Sequence, residues 1–129
     1  MKGTKRMRLL FGLTILAVAA APAMAQSMNA ETFYRRAMKL QSKGPAAIFS
    51  MGEIKKLAAE GKAAGDRART LRRAAISAGK PPRYCPPETP QKMGSSEYLT
   101  RLSAIPAAER ARIDMTEATI RILEVKFPC

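Results

Sequence analysis

The stretch SMGEIKKLAAEGKAAGDRARTLRRAAISAGKPP, residues 50–82, decides the fold class. It opens on Ser50 with Glu53 three residues later, the spacing of a capping box in which each side chain can satisfy a backbone N–H left free by the first helical turn. It closes on Gly79 and the pair Pro81-Pro82, residues that end a helix and bar its continuation. Between these signals Ile54, Leu57, Gly61, Ala64, Ala68, Leu71 and Ala75 step by three and four, which predicts one long helix to about Ala78. Gly61 and Gly65 each cost up to about 1 kcal/mol in a helix relative to alanine. They are therefore read as helix-packing positions where a neighbour approaches closely, with a kink or break near Gly65 as the competing reading.

Upstream, Asn29 is placed to cap a helix running to about Ser42, with Phe33, Ala37 and Leu40 on one face and Gly44-Pro45 ending it. The short turn from Ala46 to Phe49 offers Ile48 and Phe49 to the core. Downstream, five prolines between Lys80 and Gly94 make that stretch a loop, because proline neither continues a helix nor donates to a ladder. Ser95 or Ser96 then caps a short helix with Tyr98, Leu99 and Leu102 inward, and Ile105-Pro106 starts a further turn. The last element opens at Asp114, with Glu117 in its first turn. Ala118, Ile122 and Val125 form one apolar stripe and Ile120, Leu123 and Phe127 a second. The β-branched content of residues 120–127 leaves a strand open as an alternative, but the Asp114 cap and the length favour a helix. The expected architecture is all-α: a small helical bundle with one long central helix, its C-terminal segment closed by a disulfide.

The ends bound the domain. Lys2, Lys5, Arg6 and Arg8 precede an apolar run from Leu9 to Ala21, and Ala23-Met24-Ala25 follows, the order of a secretory signal peptide cleaved after Ala25. A membrane anchor is the rival reading, but the run of 13 residues falls short of the roughly 20 needed to span a bilayer. Residues 26–129 remain, 104 in all, room for a single domain with one modest core. Four of the 23 basic residues precede residue 26, leaving 19 against 10 Asp and Glu, a net charge of +9. Such a surface attracts acidic partners: an acidic protein, cell-wall polymer or anionic membrane lipid. Nucleic acid fits poorly, since the chain is expected to be exported and no aromatic residues interleave the basic run to stack bases.

Only Cys85 and Cys129 are present, both after the expected cleavage point. In an oxidising compartment an even pair reads as a disulfide, here across 44 positions. An intermolecular bond through Cys129 and a metal or redox role are the alternatives. The absence of histidine and of a C-x-x-C pair argues against the last two.

The same absence of histidine removes the commonest general base and the Ser-His-Asp arrangement. The carboxylates are scattered singly, and no glycine loop lies between a strand and a helix to cradle phosphate. The chain is therefore expected not to be an enzyme and to need no metal or cofactor. Function is left to the surface. Lys55, Lys62, Arg69 and Arg73 fall on one side of the long helix, away from its apolar seam, flanked by Arg67 and Arg72. They form either a solvated face or an electrostatic docking strip, and the latter would show as binding weakened by salt. Arg83 and Tyr84, in the proline-rich loop, complete the candidate partner-binding set.

Three features of the second half resemble a known family: Tyr84-Cys85-Pro86-Pro87, then Tyr98-Leu99 followed by Ile105-Pro106, and the ending Phe127-Pro128-Cys129. Together they are similar to the Rap/Tai family of exported helical immunity proteins, whose members include antidotes to amidase toxins delivered by type VI secretion. The similarity covers residues 84–129 and extends to the glycine spacing of Gly61 and Gly65. Family members typically carry further cysteines in the N-terminal half, where this chain has none. The resemblance implies a periplasmic, non-catalytic protein that occludes the active site of a peptidoglycan amidase with a protruding segment, often as a homodimer. The Lys80 to Gly94 loop is the expected protruding segment. The other reading from the residues is an envelope structural or stress protein whose basic helix rests on anionic lipid or cell wall.

Overall fold

The structure is a computed structural model and describes residues 27–129. The expected signal peptide and its cleavage point after Ala25 lie outside the described residues.

Helix α1 (Ala30–Ser42) starts where Asn29 was expected to cap it: the Asn29 side chain accepts from the N–H groups of Glu31 and Thr32. It ends at Gly44, whose φ of +53° is readily adopted by glycine. A 3-10 helix, Gly44–Ser50, then runs directly into α2 (Met51–Ser77). That run-on explains why the capping box does not form. Ser50 makes no side-chain cap bond, because the preceding turn already directs the chain into the helix, and its hydroxyl accepts instead from Lys43 Nζ at 2.7 Å. Glu53 turns away to hold Arg36 of α1 through two bonds of 2.5 and 2.7 Å. At the far end α2 closes as expected: Gly79, at φ +70°, donates to Ile76 O and Lys80 donates to Ala75 O, the paired bonds of a Schellman cap.

After the proline-rich loop come α3 (Ser95–Ala104), the single turn α4 (Ala107–Arg110) and α5 (Met115–Lys126). Gly94, not a serine, occupies the α3 cap position, and Pro106 sits just before α4. Residues 120–126 are helical, and Asp114 caps α5 by accepting from Glu117 N–H at 2.8 Å. Among the described residues the strand-like pairing is confined to one bridge, Asn29 with Asp114. There Ala30 N–H donates to Ile113 O and Met115 N–H donates to Met28 O, so α1 and α5 begin side by side.

The bundle is centred on α5, which packs chiefly on α2. Ala118 and Ile122 face the main core with Phe33, Leu57, Leu102 and Met115. Ile120 and Leu123 face a smaller core with Ala68 and Tyr84. The two stripes read from the sequence thus serve two cores, except that Val125 is three-quarters exposed. Helix α2 outlasts its partners, so the seam residue Leu71 is also exposed. Cys85 and Cys129 are joined, tying the C-terminal tail to the loop that follows α2. No described helix is long and apolar enough to cross a membrane.

Candidate binding surface

The carboxylates are largely committed to internal pairs. Glu31 is shared by Arg35 and Arg110, Glu53 is held by Arg36, Glu60 by Arg67, and Glu97 by Arg101 and Lys126. Glu117 is shared by Arg83 and Arg121. Among the described residues no three His, Cys, Asp or Glu side chains converge as metal ligands.

These pairs set a pH dependence. The carboxyl of Glu31 is held below the usual range first by its hydrogen bond from Arg110, that of Glu53 by Arg36, and that of Asp66 by Lys62. Lys126 acts likewise on Glu97, and Arg83 on Glu117. A carboxyl that binds its proton less readily in the folded chain than in the unfolded one adds stability above the unfolded pKa of about 4. That stability is lost as pH falls through the folded value. The melting midpoint is therefore expected to be level above about pH 5 and to fall steadily below about pH 4. Exposed pairs such as Lys62 with Asp66 contribute little to this fall. Thermal melts across pH 2.5 to 7 test it, and a midpoint that rose on acidification would contradict it.

Two residues expected to meet a partner make contacts within the chain, Arg83 at the surface and Tyr84 in the interior. The Arg83 guanidinium donates to Glu117 at 2.7 and 2.9 Å and to Glu124 at 2.5 Å, fastening the loop to α5. Tyr84 is 5% exposed. Its ring lies 5.8 Å from the Arg72 guanidinium, its carbonyl accepts from Arg72 Nε at 3.0 Å, and burial pushes its phenol up. A tyrosine between arginine and cysteine in a loop reads as exposed, but the disulfide draws it against Ala68 and Ile120.

Gly61 and Gly65 also need correcting. A Cβ built at either meets no heavy atom within 4 Å, so no helix approaches closely there. Helix α2 also runs unbroken through both positions. Both glycines border open grooves. Replacing either by alanine is accordingly expected to raise stability by up to about 1 kcal/mol, the difference in helix propensity with no steric cost. Urea denaturation of each variant checks this, and a loss of stability would show that the space is needed.

Lys55, Lys62, Arg69 and Arg73 are exposed. Asp66 lies among them, bonded to Lys62 at 2.8 Å and Arg69 at 3.3 Å, so the five side chains carry a net +3. The corner where α1 passes into α2 was not anticipated. Ile48 and Phe49, expected to help fill the core, are 65% and 91% exposed, and the adjacent Met51 is 45% exposed. On the adjoining turns of α1 and α2, Lys39, Lys43, Lys55 and Lys56 make no salt bridge among the described residues. Exposed apolar groups grouped in this way mark contact surfaces. The signal available in the sequence was Gly44-Pro45 ahead of the apolar pair, which fixes a tight turn outside the bundle.

Comparison with known proteins returned no matching family, no matching curated protein and no matching solved structure.

Proposed function

We propose that the chain is an exported, periplasmic binding protein of immunity type, which inhibits an acidic exported hydrolase, a peptidoglycan amidase, by contact without turnover. The observation that carries this reading is the α1–α2 corner. An aromatic side chain lies 91% exposed beside two further apolar ones and four lysines that lack carboxylate partners among the described residues. Buried aromatic anchors dominate the energetics of protein interfaces. Unpaired lysines on the adjoining turns speed encounter with an acidic partner and make it salt-dependent. The protruding segment is thus assigned to residues 46–51 instead of the loop Lys80 to Gly94, whose Arg83 and Tyr84 are engaged internally. The resemblance in residues 84–129 supplies the class of target.

The test is periplasmic expression of a hydrolase encoded beside this gene, with and without this chain. Wild type is expected to restore growth, and Phe49→Asp to weaken the complex about 30-fold or more, the loss of one anchor. Undiminished rescue by Phe49→Asp would remove the corner from the interface. Failure of wild type to bind or rescue would remove the immunity reading. The same corner favours one alternative, an envelope structural or stress protein seated on anionic lipid, because exposed apolar side chains with unpaired lysines on the adjoining turns also suit a membrane interface. Salt-sensitive flotation with anionic vesicles, unaffected by any hydrolase, would favour that alternative.

A further inference from the structure

A concavity adjoins the corner and shares Ala47 with it. Helix α1, the 3-10 helix, α2 and the start of α3 bound an open groove of about 640 Å³, within the roughly 300–1,000 Å³ typical of small-molecule sites. Its apolar walls are Phe33, Leu40, Ile54, Leu57 and Leu99, and Gly61 opens one side because no atom fills the space a Cβ would take. The polar side chains that line it are Gln41, Lys62, Ser95 and Tyr98. The Tyr98 hydroxyl is already bonded to Thr119 at 2.6 Å. No carboxylate lines the groove, and its one cation, Lys62, shares Asp66 with Arg69, so that trio is net positive. Lys55 lies on the same side of α2 without a salt-bridge partner among the described residues.

An apolar trough with a cationic rim and no anion in its lining complements a molecule with an apolar tail and one negative charge. Size narrows the class. A methylene is about the size of a water molecule, ~30 Å³, so the groove holds roughly 20 of them, one long acyl chain.

We propose that this groove binds a single-chain anionic amphiphile, its acyl chain along α2 and its head anion at Lys62 and Lys55. The occupant is a monoacyl phospholipid, and only this choice of source rests on the envelope placement proposed above. The head displaces an exposed pair, Lys62 with Asp66, whose loss costs little.

The experiment uses the disulfide-bonded chain with residues 26–129, titrated below the critical micelle concentration and followed by calorimetry and methyl NMR. Lysophosphatidylglycerol with a 14-carbon chain is expected to saturate one site and to shift the methyls of Leu40, Leu57 and Leu99. Binding should weaken by up to about fourfold for each methylene removed from a fully buried chain. Lysophosphatidylcholine of equal length should bind at least about tenfold more weakly, since its head adds a positive charge near the lysines. Lys62→Glu should remove that preference, and Gly61→Leu should fill the groove and weaken both ligands while melting no lower than wild type. Phe49→Asp, expected to weaken the hydrolase complex, should leave amphiphile binding intact, so the two readings fail separately. Absence of saturable binding, equal affinity for both heads, or shifts confined to Ile48 overturns the proposal. So does groove-methyl protection that only a hydrolase produces, and tighter binding of myristate overturns the choice of phospholipid.

Discussion

Replacing Cys85 and Cys129 by alanine is expected to destabilise the chain by up to about 4 kcal/mol and to lower its melting midpoint by about 15 to 30 °C. The bond closes 44 positions, and opening it returns that loop entropy to the unfolded chain. The folded side suffers too. Cys85 N–H donates to Phe127 O at 2.8 Å, and the neighbouring Tyr84 is the largest side chain of the smaller core. With the bond gone, Arg83 and its two glutamates are the main remaining tie between loop and α5. Melting followed by circular dichroism, with and without reductant, gives the answer. A shift below about 5 °C would mean that the closure contributes little and that the smaller core holds the tail unaided.

Arg110→Ala is the second large effect, a loss of about 3 kcal/mol, as when one partner of a buried ion pair is removed. Arg110 is 6% exposed although it carries a full charge. Its guanidinium donates to Glu31 Oε2 at 2.6 Å, to the carbonyls of Leu102 and Ser103 at 3.4 and 3.3 Å, and to that of Ile105. These carbonyls belong to the end of α3, where helical acceptors lack their own donors. The Tyr34 ring lies 4.0 Å from the guanidinium carbon. One side chain therefore caps α3, pairs with α1 and covers an aromatic face, and alanine leaves all three groups wanting. Urea denaturation of Arg110→Ala, Glu31→Gln and the double variant measures the coupling. The double variant should lose less than the sum of the singles. A loss under about 1 kcal/mol for Arg110→Ala would show that water replaces the guanidinium without difficulty. Because Arg110 is the first cause of the lowered Glu31 carboxyl, the same variant should also unfold at a higher pH on acidification.

Much of the fold was legible because its signals are local. Asn29, Asp114 and Gly79 act on backbone groups within a few residues, and each does in the structure what its chemistry implies. The disulfide was legible because only two cysteines exist. What failed depended on distant geometry. Glu53 had two uses, a cap or a partner for Arg36, and the sequence does not show that α1 lies within reach. Ile48 and Phe49 are apolar and were assigned inward, yet the sharp turn at Gly44 carries them out of the bundle. Tyr84 was misread in the opposite sense, because its burial is imposed by a cysteine bonded 44 positions away. Of the candidate site, the charged strip could be read from helical periodicity. The groove could not, since its walls come from α1, α2 and α3 together.

The backbone bridge between Asn29 and Asp114 bears on when the molecule can form. Its two strands are separated by 85 positions, and Ser27 adds hydroxyl contacts with Arg67 and Thr116. Pairings this remote close late, after the intervening chain has been searched. An emerging chain truncated anywhere before residue 113 lacks the carbonyl that accepts from Ala30 N–H and the whole of α5, the chief packing partner of α2. It should therefore stay loosely collapsed and threadable until synthesis is nearly finished, a kinetic delay written into the order of its helices.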